Sequence, residues 1–178
     1  MSGYIHIITG PMFSGKSSKL INIIKQYEPK DILVFNHVSD IRYSNNNVCT
    51  HDGTVYECYM INNLSFILNM KELNDAKYIF IDEFQFFNDT KDVILKLCNE
   101  YNKHVVIAGL SLDFKLNTFG DLYILFPFSN KIDVLYGKCF YCDERSVFTC
   151  KLYKNGNIHE VGSSEKYIST CRNHYLNV

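Results

Sequence analysis

Hydrophobic positions fall into two textures along the chain. Short unbroken apolar runs at Tyr4 to Thr9, Ile32 to Phe35, Tyr78 to Ile81 and His104 to Leu110 have the length and character of strands buried on both faces. Between them apolar residues recur at helical spacing: Leu20, Ile24 and Tyr27 up to the stop at Pro29, then Val93, Leu97 and Tyr101 within Lys91 to Tyr101. Strands alternating with helices predict an α/β fold with a mostly parallel sheet covered on both sides. The stretch His37 to Thr54, rich in Asn, Ser and Asp, predicts a long functional loop. From about Lys138 the texture changes to cysteines, short β-branched or aromatic runs and the turn Asn155-Gly156-Asn157. That predicts a small hairpin-based unit, residues 138–178, following a core of residues 1–137.

Composition adds few constraints. A chain of 178 residues with 47% hydrophobic content can bury a proper core. Net charge is -1 and no segment gathers Lys and Arg, which argues against a nucleic-acid surface. No apolar run reaches the length of a membrane span, and MSGYIHIITG lacks the basic start and cleavage site of a signal peptide, so a cytoplasmic location and no membrane partner are expected. Seven cysteines, an odd and uneven set, argue for free thiols or metal ligands over disulfides.

Gly10-Pro11-Met12-Phe13-Ser14-Gly15-Lys16-Ser17 fits the Walker A pattern, with a strand before it and a helix after it. The glycines free the backbone to wrap phosphates, Lys16 contacts the terminal phosphates, and Ser17 ligates magnesium. The helix N-terminus adds its partial positive charge. A second magnesium contact must come from an acid at the end of a neighbouring buried strand; the run ending at Ile81 supplies Asp82. Glu83 is then left to accept a hydroxyl proton or orient a water. Of Phe86 and Phe87, at least one is expected in the core. The apolar Met12 and Phe13 suggest a loop with something apolar beside the phosphates.

Cys139-x2-Cys142 and Cys171-x2-His174 form a Cys3His set suited to tetrahedral zinc. Four protein ligands leave no open position, so the metal is expected to be structural. The 28 residues separating the pairs exceed the usual spacing of a zinc ribbon. Loop-closure entropy grows by only about 0.6 kcal/mol per doubling, so the excess is tolerable. Asn130-Lys131-Ile132-Asp133 matches the N-K-x-D guanine-reading motif, which raises a GTP-binding switch as an alternative. The glycine such a switch needs after Asp82 is absent, since the chain reads Asp82-Glu83-Phe84-Gln85. A zinc-bearing P-loop ATPase acting on nucleic acid lacks its basic field.

The combination of an N-terminal GPMFSGKS, the segment IDEFQFF and a C-terminal Cys3His quartet resembles the type II thymidine kinases nearly end to end, and most of all their compact poxviral members. The resemblance implies a RecA-like P-loop core with a zinc-stapled lasso that folds over the nucleoside. It implies ATP as donor, thymidine as acceptor, magnesium, dTTP as feedback inhibitor and a homotetramer. IDEFQFF is similar to the family's IDEGQFF, with Phe84 in place of glycine, and Glu83 falls on the catalytic base. Asp40-x-Arg42-Tyr43 and Thr50-His51-Asp52 resemble the D-x-R-Y and THD segments, where the aspartate and arginine lie near the phosphates. GLSLDFKLNTFG resembles ALDGTFQRKPFG, departing at Ser111, Leu112 and Asp113. Within it Leu110, Phe114 and Phe119 fall on residues that wall the thymine pocket. Thr149 and Tyr167 match positions that hold the base, Ile158, His159, Glu160, Val161 and Gly162 match the segment whose backbone reads it, and Met12 is placed against the thymine ring.

Overall fold

The computed structural model describes residues 2–40, 47–49, 55–152 and 166–177. Its centre is a six-stranded sheet built from β1 (Tyr4–Thr9), β2 (Ile32–His37), β5 (Tyr59–Ile61), β6 (Tyr78–Ile81), β7 (His104–Gly109) and β8 (Lys131–Val134), in the order β5-β2-β6-β7-β1-β8. Every pairing in this sheet is parallel. The α/β expectation with a parallel sheet is therefore met.

Alternate residues of each central strand feed two separate cores, which explains the unbroken apolar runs. Ile5, Ile7, Phe35, Ile79, Ile81, Val105 and Ile107 face α2 (Thr90–Asn99), which contributes Val93, Ile94 and Leu97. Ile8, Val34, Phe80, Val106 and Ala108 face α1 (Lys16–Ile24), which contributes Leu20, Ile21 and Ile24. Parallel strands covered on both faces lose the period of two that would otherwise mark them. Tyr101, expected on the α2 face, lies beyond the helix and packs half-buried against the first core.

Two edges depart from expectation. The segment read as a loop from His37 to Thr54 contains β3 (Asn47–Cys49), paired antiparallel with β4 (Val55–Glu57), and Val48 is fully buried beside Tyr56 and the α1 residues. A single inward valine in a polar stretch leaves no periodic signal. Residues 41–46 and 50–54 fall outside the described set. At the opposite edge, β8 is the very segment that matched N-K-x-D. Asn130 donates its N–H to Ile5 O and accepts the Ile5 N–H on Oδ1, both at 2.9 Å, continuing the ladder beyond β8. Asp133 takes His6 Nε2 and Lys19 Nζ at 2.8 Å and Lys131 Nζ at 3.5 Å. The motif is thus engaged in sewing the sheet edge to β1 and α1, and the nucleotide-switch alternative finds no support in it.

Beyond β8 lie β9 (Gly137–Lys138) paired with β10 (Arg145–Ser146), β11 (Phe148–Lys151) paired with β12 (Tyr167–Thr170), and the short helix α3 (Arg172–Leu176). The turn Asn155-Gly156-Asn157 lies outside the described residues, but β11 and β12 are the antiparallel arms it was expected to join. Among the described residues, no helix is long and apolar enough to cross a membrane.

Candidate functional site

The strand order puts the phosphate loop at the end of β1 and Asp82-Glu83 at the end of β6, with β7 between them. Adjacent strands are spaced about 4.8 Å apart, so the two motifs stand roughly 10 Å apart across the sheet's tip. That gap suits a group of phosphates with a metal ion.

Within the loop, Gly15 has φ 82 and caps α1, a left-handed geometry that a side chain would strain even though the space around it is open. Gly10 is required for a second reason: a Cβ there would run into the Leu135 carbonyl. Phe13 also adopts a left-handed conformation, φ 62. Lys16 Nζ donates to Pro11 O at 2.7 Å, folded across the loop it belongs to. Among the described residues, the buried Ser14 Oγ has no hydrogen-bond partner. Ser17 sits half-buried in the first turn of α1, and Met12 is half-buried too.

Asp82 is 3% exposed; its N–H extends the pairing to Phe35 O, and its Oδ1 accepts the Glu83 N–H at 3.0 Å. Glu83 has φ 50, an uncommon conformation for a residue with a side chain, and its Oε2 accepts from Gln85 Nε2. Phe84 and Phe87 are fully buried in the core. Phe86 is half-buried and meets the Phe119 ring edge-on with centroids 5.6 Å apart, and stacks on His37 at the same distance. The expectation of one core phenylalanine at 86–87 is met by Phe87, while Phe86 joins an aromatic wall with Phe119 that pattern alone did not flag. Asp40 accepts from Asn36 Nδ2 at 3.0 Å. Arg42 lies outside the described residues, as do Ile158, His159, Glu160, Val161 and Gly162.

The altered segment after Leu110 is a tight hairpin organised by Asp113. This residue is 6% exposed; its Oδ1 accepts the Lys115 and Asn117 N–H groups at 2.8 and 2.9 Å, and its Oδ2 accepts Asn117 Nδ2 at 3.2 Å. The hairpin docks on the C-terminal unit. Tyr175 OH donates to Phe114 O at 3.0 Å, the Phe114 and Tyr167 rings lie 6.1 Å apart, and Lys151 Nζ stands 5.4 Å from the first ring and 5.9 Å from the second. Thr149, from β11, uses its Oγ1 to accept the Met12 N–H at 2.9 Å, so the C-terminal unit grips the phosphate loop. A cleft of about 150 Å³ borders this contact, lined in part by Gly10, Pro11, Leu112, Leu135 and Thr149.

Cys139, Cys142, Cys171 and His174 bring their ligand atoms within 4.8 Å of one another. Cys142 and Cys171 sulfurs are 3.9 Å apart, and His174 Nδ1 is 3.3 to 3.6 Å from all three sulfurs. A tetrahedron with Zn–S bonds of about 2.3 Å has edges of about 3.8 Å, close to the Cys142–Cys171 separation, so the residues present suit zinc. Burial works to raise the Cys139 thiol, yet backbone N–H groups of Cys171, Tyr141 and Cys142 outweigh it and bring it to about 6. Cys142 is pushed up: a Glu144 N–H works against this, but burial and the neighbouring Cys139 and Cys171 sulfurs prevail.

A parallel sheet whose first strand runs through a glycine-rich, lysine-bearing loop into a helix is the framework of the P-loop nucleotide-binding enzymes. The thymidine kinase family model matches residues 3–175, and the chain belongs to that family. It is 36% identical over 176 residues to the thymidine kinase of Sheeppox virus (strain KS-1), covering 98% of this chain and 97% of that one. It is 35% identical over 176 residues to the thymidine kinase of Fowlpox virus (strain NVSL), covering 96% of each. A thymidine kinase of Oryza sativa subsp. japonica is 34% identical over 181 residues; there the match covers 98% of this chain but 66% of the plant protein, a little under two thirds.

Proposed function

We propose that this chain transfers the terminal phosphate of ATP to the 5′-hydroxyl of thymidine, giving dTMP and ADP. The observation that carries the reading is the family match from residue 3 to residue 175. Lys16 leaves the Pro11 carbonyl for the phosphates, and with the backbone N–H groups of the loop, which Pro11 lacks, it balances charge on the transferring group. Ser17 and Asp82 hold magnesium, directly or through water; magnesium when bound neutralises phosphate charge. Glu83 accepts the 5′-hydroxyl proton as the new P–O bond forms and the bond to ADP breaks. Asp40 and Arg42 are assigned to the phosphates by the family resemblance.

Met12, Leu110, Phe114 and Phe119 wall the thymine, Phe86 backs Phe119, and Thr149, Tyr167 and the backbone of 158–162 hold the base. Zinc on Cys139, Cys142, Cys171 and His174 would be structural: it would tie the two ends of the 138–178 unit to each other and so brace β11 and β12, which carry Thr149 and Tyr167. A cytoplasmic homotetramer inhibited by dTTP completes the reading.

The test is a thermal-shift panel with thymidine, dTTP, ATP and GTP, since a ligand stabilises only the state that binds it. Stabilisation by thymidine and dTTP is expected; a response to GTP with none to thymidine would overturn the reading. Glu83→Gln is expected to keep nucleotide binding and lose about 10²–10⁴-fold in turnover.

A further inference from the structure

Gln85 is 3% exposed between the tips of β6 and β7, and both ends of its side-chain amide are engaged. Nε2 donates to Glu83 Oε2, while Oε1 accepts the Leu110 N–H at 2.9 Å. The fold leaves room for this amide. A Cβ at Gly109 would come within 3.0 Å of Oε1, and one at Gly120, where φ is 63, would overlap the Gln85 backbone. Glu83 itself is held in a left-handed conformation with its N–H on Asp82, so backbone and carboxylate are both constrained.

We propose that Gln85 is a positioning residue for the transfer, fixing the Glu83 carboxylate against the end of the strand that carries Leu110. The inference rests on Glu83 being the base. Only a neutral group that donates and accepts at once serves both partners. Ionised carboxylate cannot donate to Glu83, lysine and arginine cannot accept from Leu110, and an aliphatic side chain does neither. The half-buried Leu110 N–H and the Glu83 carboxylate are served by the two ends of one planar amide, so the bridge orients both at once. Its consequence is kinetic. A glutamate has three rotatable bonds, and displacement of a reacting group by about 1 Å can cost 10²-fold in rate. Tying the carboxylate to the β7 tip also makes proton acceptor and base pocket move as one body.

The experiment compares Gln85→Leu, Gln85→Glu, Glu83→Gln and the Glu83→Gln/Gln85→Leu pair in the zinc-loaded full chain, with thymidine and ATP as probes. Gln85→Leu should lower kcat 10- to 100-fold with the ATP KM within about twofold. Gln85→Glu, which keeps the Leu110 bond but sets a second carboxylate beside Glu83, should move the acidic limb of the kcat–pH profile upward. In the Glu83→Gln background Gln85→Leu should cost almost nothing further, because its target is gone. An equal loss in both backgrounds, or unchanged kcat in Gln85→Leu, would overturn the proposal. Near-normal turnover in Glu83→Gln is a different failure, that of the base assignment itself.

A readout independent of Gln85 variants comes from the wild-type protein. The chain has two glutamines, Gln26 and Gln85, and Gln26 is exposed, so 15N-glutamine labelling isolates the group. One Gln85 side-chain N–H should exchange slowly with solvent and shift in Glu83→Gln. A rapidly exchanging pair insensitive to Glu83 would overturn the bridge.

Discussion

Phe84 and Gly109 are complementary at atomic distance. Phe84 is fully buried, and a Cβ on Gly109 would lie 3.1 Å from the Phe84 Cβ and 3.4 Å from its N. In the family pattern given above, these positions read glycine and alanine, the opposite order. Gly109→Ala should therefore destabilise by about 1–3 kcal/mol through crowding, seen as a lower urea midpoint. Phe84→Gly opens a cavity, yet it removes the Phe84 Cβ contact while leaving that to Gln85 Oε1, so the double variant should cost somewhat less than the two single losses together. A second residue-scale expectation concerns acid. Burial lowers the pKa of His6 and of His37, outweighing the Asp133 bond at His6, so the unfolded chain binds more protons than the folded one below pH 6.5. Stability must then fall as pH drops from 7 toward 5. A melting curve series should show this, with a shallower slope in His6→Gln, which retains a donor for Asp133. Asp133 itself, although burial acts to raise it, is brought to about 2 by Lys19 and His6, so its contribution is lost only in stronger acid, between about pH 4 and 2.

At the scale of elements, β11 and the phosphate loop meet through one hydroxyl. Thr149→Val removes the acceptor of the Met12 N–H while keeping side-chain volume, and a hydrogen bond of this kind contributes about 1 kcal/mol. The ATP KM should rise roughly fivefold; a rise confined to thymidine would mean that Thr149 serves the base alone. The elements also differ in how readable they were. Strands β1, β6 and β7 stand within a residue of their expected bounds because burial on both faces makes each an uninterrupted apolar run. Strand β8 escaped notice because an edge strand exposes Lys131 and Ile132, and its charges look like a binding motif until His6 and Lys19 are placed opposite them. The three-residue β3, β4 and β5 are too short for periodicity to register.

For the whole molecule, the cysteine–histidine quartet closes the small unit on itself, and that unit meets the rest through Tyr175 on Phe114 O and Thr149 on the Met12 N–H. Removal of zinc by a chelator, or Cys171→Ser, should free α3, whose Tyr175 reaches Phe114 O, and slacken β12, which leads directly into Cys171. Zinc content by atomic absorption should fall, and the thymidine KM should rise together with a lower melting temperature; full zinc content in Cys171→Ser would remove that residue from the ligand set. The cysteine–histidine cluster was legible as two short pairs because thiolate and imidazole chemistry dictates local spacing. The same holds for Gly10 to Ser17, Asp82 and Glu83, whose proposed work is set by residue type at the end of a strand. Convergence was not legible in this way. That Gln85 reaches Leu110, that Phe86 faces Phe119, and that Thr149 grips Met12 all depend on contacts between residues 25 to 137 positions apart. Such contacts leave no period or spacing in a linear chain, since they are fixed by strand order and packing, whereas loop chemistry and metal ligation are written in neighbouring residues.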